Sequence, residues 1–105
     1  MPDVRFAVRD NVEKHRFEID LGDGSFAIAE YALSPGKITI THTGVPPAHE
    51  GKGIGTALIQ FVLASARARG LQVSPVCPFV AAYIKYHLEE QDLLDPAYRR
   101  ILKLN

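Results

Sequence analysis

The residues with chemical potential fall in two stretches of this 105-residue chain. One is a glycine cluster, Glu50-Gly51-Lys52-Gly53-Ile54-Gly55-Thr56, and the other a Cys77-Pro78 step, with His42 just before the first and Tyr83 and Tyr86 just after the second. Glycines let a backbone approach an anion without Cβ contacts, and a helix starting there adds unpartnered N–H groups and about half a positive charge. The cluster is therefore either a phosphate cradle or a flexible loop that merely caps a helix. Pro78 suits the first position of a helix, which would set the Cys77 sulfur beside a positive helix end and favour its thiolate. Cys77 fits a reactive thiol or a small buried hydrophobe. His42 fits a proton acceptor working near neutral pH or a hydrogen-bonded core histidine.

Two common phosphate loops fail on single residues. The dinucleotide fingerprint needs a third glycine where Thr56 stands, and the P-loop needs Ser or Thr where Gly53 stands. No Asp or Glu occurs from Gly51 through Leu88, which removes the ribose-binding acid of a dinucleotide site, while Lys52, Arg67, Arg69 and Lys85 lie in the same stretch. Twelve basic and twelve acidic side chains cancel over the whole chain. Local positive charge within overall neutrality suits a small, highly phosphorylated ligand and gives no footprint for nucleic acid. The lone cysteine and the scattered His15, His49 and His87 offer no metal spacing, so no metal is expected. His49 and Lys52 are candidate neighbours of a phosphate.

The elements that must position these groups follow from periodicity. Phe17, Ile19 and Leu21, then Ala27, Ala29, Tyr31 and Leu33, then Ile38, Ile40 and His42 alternate as strands of an antiparallel meander, with Thr39, Thr41 and Thr43 opposite the last set. Leu21 to Ser25 and Ser34-Pro35-Gly36 supply the turns. Val4, Phe6 and Val8 suggest a short edge strand. Ile54, Ala57, Leu58, Phe61, Val62 and Ser65 fall at helical spacing, and Gly70 stands where a left-handed C-cap ends the helix. Leu71 to Val76 reads as a strand limited by Pro75, which marks either a sheet edge or a point where two strands part. A second helix is expected from Pro78 to about Leu88, with Val80, Tyr83, Ile84, His87 and Leu88 inward, and a last short one from Pro96 to Leu102. The chain reads as a single α/β (α+β) domain. No apolar run approaches the roughly 20 residues of a membrane span and Met1 to Arg5 lacks a basic leader pattern, so no membrane partner and a cytoplasmic location are expected.

The order strand, Glu50-x-x-Gly53-x-Gly55, long helix, strand, helix resembles the acetyl-coenzyme A loop of the GCN5-related N-acetyltransferases, although that family's loop usually begins with Gln or Arg where Glu50 stands. The runs Thr41-His42-Thr43-Gly44-Val45-Pro46-Pro47, Gly51-Lys52-Gly53-Ile54-Gly55 and Val76-Cys77-Pro78-Phe79-Val80 resemble its minimal single-domain branch, over residues 12 to 95. The resemblance implies a mixed sheet with helices packed on it. It implies acetyl-coenzyme A as co-substrate, with Gly51, Lys52, Gly53, Ile54, Gly55 and Thr56 on its diphosphate and Val45 on its pantetheine arm. Backbone amides near Val45 would polarise the thioester carbonyl. Tyr86 keeps the approximate spacing of the tyrosine that larger members bring to the departing sulfur, and an amphipathic surface role is its other reading. The expected activity is acetyl transfer to an amine of a small molecule or protein, the alternative a coenzyme A-binding module without catalysis. Catalytic candidates are Cys77, His42 and Tyr86.

Overall fold

The computed structural model describes residues 6–103. Five strands form one sheet in the order β1-β2-β3-β4-β5: β1 Val8–Asn11, β2 Arg16–Asp20, β3 Phe26–Ser34, β4 Lys37–Gly44 and β5 Gln72–Pro75. The first four pair antiparallel as the meander predicts, and β5 joins β4 in parallel after the long helix α1, Ile54–Ala68. A parallel neighbour requires such a crossover. Of the expected edge strand, Val4, Phe6 and Val8, only Val8 lies in β1. Phe6 packs against the core ahead of it, and Val4 lies outside the described residues.

Helix α1 crosses one face of the sheet. Of its buried positions, Ile54, Leu58, Ile59, Val62, Leu63 and Ala66 meet Phe17, Ile19, Ala27, Ala29, Ile38, Ile40 and Val73 in one cluster, and Ala57 is buried beside them in the helix. The buried arc is wider than a single stripe because the 3-10 segment that follows the second helix also packs on α1. That helix, α2, spans Pro78–Lys85 and buries Val80 and Ile84. It ends three residues before the expected Leu88, which is exposed because the chain tightens there into a 3-10 segment, Leu88–Leu93. The last helix, α3, runs Pro96–Ile101, with the Asp95 side chain accepting from the Ala97 amide.

One register shift governs the site. Glu30 pairs with His42 but Tyr31 pairs with Ile40, so Thr41 is an extra residue on β4. A bulge of this kind reverses which face the following side chains occupy. His42 was expected on the face of Ile38 and Ile40. The structure corrects this: His42 is exposed, on the opposite face with Glu30, and Thr43 takes the core-facing place beside Ala29.

Pro75 satisfies both of its readings at once. Strand β5 closes the sheet order, and Ile40–Pro75 is the last pair before β4 and β5 part. The Cys77 amide then donates to the Ile40 carbonyl at 2.9 Å, after which His42, Thr43 and Gly44 pair with β3 alone.

Candidate functional site

Beyond Gly44 the chain turns through a 3-10 segment, Pro47–His49, and passes Gly51 and Gly53 at φ 80° and 77° before α1 begins. Those angles are costly for any residue with a Cβ, which is why glycine stands at both positions. Gly53 is the N-cap of α1 and supplies no side-chain cap; the first helical bond runs from Ala57 N to Gly53 O at 3.0 Å. Among the described residues, the amides of Gly51, Lys52, Gly53, Ile54, Gly55 and Thr56 carry no hydrogen bond. Unpartnered donors at the positive end of a 15-residue helix have the chemistry that favours an anion, and no side chain caps them.

The same segment walls a cavity of about 440 Å³. On one side stand Thr43, Gly44 and Val45, on another Gly51, Gly53, Ile54, Gly55 and Thr56, with His49, Glu50, Leu58 and Phe79 completing it. Gly55 is the tight point. A Cβ there would lie 3.4 Å from Phe79 Cζ and 3.5 Å from Val45 Cγ2, in van der Waals contact with two residues of the cavity wall. The cavity thus joins the helix-start amides to the edge of β4 that β5 has released.

Cys77 sits at the parting of the strands as the N-cap of α2. It is buried, and its sulfur lies 3.4 Å from Thr43 Oγ1, a residue of the cavity wall. Burial pushes the thiol up, but the Thr43 hydroxyl and the amides of Val80, Phe79 and Thr43 outweigh it, and the net shift is downward. The pairing with Thr43 was not legible in the sequence, because it depends on the Thr41 bulge.

The remaining candidates are more dispersed. Lys52 is exposed on the loop and outside the cavity wall. His42 faces outward on the sheet's open side. Tyr86 is the C-cap of α2 and is 77 % exposed; at 1.5 Å rise per residue it lies about 13 Å along the helix from Cys77. Tyr83 stacks on His87 at 3.8 Å in a separate groove between α1 and α2. Sequence reasoning missed Phe79 as a cavity wall, although its place two residues after Cys77, in the first turn of α2, is the signal. Among the described residues no cluster of three or more His, Cys, Asp or Glu is placed to hold a metal ion, and no helix is long and apolar enough to cross a membrane.

Comparison with known proteins gives two findings. A family model described as GCN5-related N-acetyl-transferase matches residues 16–93. The NMR solution structure of a GCN5-like protein from Staphylococcus aureus matches with a TM-score of 0.69 at 24% identity, over 89% of this chain and 91% of that one. No curated protein matches.

Proposed function

The chain belongs to the GCN5-related N-acetyltransferase family, and on that premise we propose that it binds acetyl-coenzyme A and passes the acetyl group to an amine. The observation that carries the reading is one cavity walled both by the segment with unpartnered amides after Glu50 and by Thr43, Gly44 and Val45 at the released edge of β4, with the buried Cys77 sulfur 3.4 Å from the wall residue Thr43. In this reading the amides from Gly51 to Thr56 hold the diphosphate, with the α1 dipole behind them. Pantetheine runs beside Val45, where the backbone of β4 lacks a strand partner. Glu50 brings a negative charge to the rim, and the amides rather than side-chain cations carry the binding.

Acetyl transfer needs a neutral nucleophile, polarisation of the thioester carbonyl and a proton for the departing thiolate. Direct attack by the amine within a ternary complex satisfies this mainly by positioning. The Cys77 environment favours a relay instead. Its thiolate attacks the carbonyl carbon, the bond from that carbon to the coenzyme sulfur breaks, and coenzyme A leaves as a thiolate that takes a proton. The amine then attacks acetyl-Cys77, loses a proton to solvent, and expels the Cys77 thiolate. A reducing cytoplasm would keep that thiol available. Tyr86 as proton donor to the departing sulfur requires the α2 C-terminus to approach the gap.

Calorimetry with coenzyme A and acetyl-coenzyme A tests binding, and thiol release over a panel of amines and peptides tests transfer. Mass spectrometry after acetyl-coenzyme A alone should find one acetyl group on Cys77, absent from Cys77→Ala. An unacetylated Cys77 with amine-dependent thiol release intact would restore direct attack. Binding without release would leave a coenzyme A-binding module.

A further inference from the structure

We propose that Asp23 and His49 form a positioning pair that fixes the approach to the anion-binding amides, so that the grip on the coenzyme A diphosphate is set from the β2–β3 turn. The proposal rests on the cavity reading above. His49 Nε2 and Asp23 Oδ2 are 2.8 Å apart although 26 residues separate them in sequence. The His49 ring is 15 % exposed and forms part of the cavity wall, whereas Asp23 is 52 % exposed on the turn behind it.

Asp23 is itself held. Its Oδ1 accepts from both the hydroxyl and the amide of Ser25, and the Leu21 amide closes the turn on Ser25 O at 3.1 Å. The Ser25 hydroxyl, His49 and the Ser25 amide keep its carboxyl well below the usual range, so it is an ionised acceptor. A carboxylate cannot donate, hence the proton of that contact resides on His49 Nε2 and the ring has one tautomer and one orientation.

The loop has little else to fix it. Among the described residues, the side chains of residues 45–53 make no other hydrogen bond, and the 3-10 segment is closed only by His49 N to Pro46 O at 2.9 Å and Glu50 N to Pro47 O at 3.3 Å. Glycines at 51 and 53 then allow many backbone conformations in which the amides would not converge. Conformational freedom left in the free loop has to be lost on binding, which weakens affinity. One hydrogen bond to a rigid turn removes much of that freedom beforehand.

NMR titration of the full chain, which reads weak as well as tight binding, separates this role from a general structural one. The probes are coenzyme A and pantetheine, which lacks the diphosphate. His49→Ala and Asp23→Ala should each weaken coenzyme A binding by about three- to ten-fold, the scale of one partly exposed charge-assisted hydrogen bond, and the double variant no further. Pantetheine binding should not change. His49→Ala leaves the Ser25 contacts of the turn intact, so it remains informative if Asp23→Ala folds poorly. Additive losses, parallel loss of pantetheine binding, or unchanged coenzyme A affinity would each overturn the pairing. Absence of coenzyme A binding by the unaltered chain would overturn the cavity reading and the pairing together.

Discussion

A methyl group added at Gly55 should separate binding from folding. This residue is the second of α1, has ordinary helical backbone angles, and its new Cβ would meet Phe79 Cζ at 3.4 Å and Val45 Cγ2 at 3.5 Å. These are normal contact distances, and alanine is a better helix former than glycine by up to about 1 kcal/mol, so the fold should tolerate Gly55→Ala with a Tm change of a few degrees at most. The same methyl stands against two residues of the cavity wall and lifts a phosphate away from the helix-start amides. Losing one hydrogen bond to a charged acceptor costs about 1.5–3 kcal/mol, or roughly ten- to a hundred-fold in affinity. Gly51→Ala is the contrasting case. Nothing lies within 4 Å of its Cβ position, but φ is 80°, and forcing alanine there costs about 1–2 kcal/mol, lowering Tm by roughly 5–10 °C. Calorimetric titration with coenzyme A and thermal melts on both variants would check the pair. Wild-type affinity in Gly55→Ala would refute the placement of a diphosphate on this face of the loop.

Three further outcomes follow from the contacts. Thr43→Val removes the hydroxyl 3.4 Å from the Cys77 sulfur, so the midpoint of iodoacetamide labelling against pH should move up; an unmoved midpoint would remove Thr43 from the thiol's environment. Glu18 is buried on the open face of the sheet and bonded to Arg9, Arg16 and Asn11; the Arg9 contact foremost, opposed by burial and aided by the other two, holds its carboxyl down to about 2. Because the folded value lies below the unfolded one near 4.5, its stabilisation is complete above that pH and is lost as pH falls toward 2, and denaturant melts of Glu18→Gln should lack this part of the acid loss. Arg67 on α1 binds Asp92, Glu90 and the Glu89 carbonyl, but Arg67 and its closest ion-pair partner Asp92 are exposed, so Arg67→Ala should cost no more than about 1 kcal/mol in a urea melt.

Much of this architecture was readable from residue types. The change from alternation to helical spacing after Val45 marks the start of α1, Gly70 marks its end, and Pro75 marks the parting of β4 and β5. The cavity wall formed by residues 51–56 follows from glycines placed between a strand and a long helix, Lys52 alone standing outside it. What could not be read is long-range. Strict alternation along β4 puts His42 with Ile38 and Ile40, and only pairing with β3 reveals that Thr41 is extra and that Thr43 meets Cys77 instead. Leu88 lost its inward place because α2 stops at Lys85, where tertiary packing of the 3-10 segment overrides helical period. The Asp23–His49 contact joins two turns that no local pattern connects.

The central claim is that the backbone amides at the start of α1 bind the diphosphate of acetyl-coenzyme A with the thioester led toward Cys77. Amide-resolved NMR of the chain titrated with acetyl-coenzyme A tests it most directly. The account predicts the largest shifts at residues 51–56, with a second set at residues 43–45 and 77–79. Shifts confined to the groove around Gln60, Arg67 and Tyr83, or no saturable shifts at all, would contradict it.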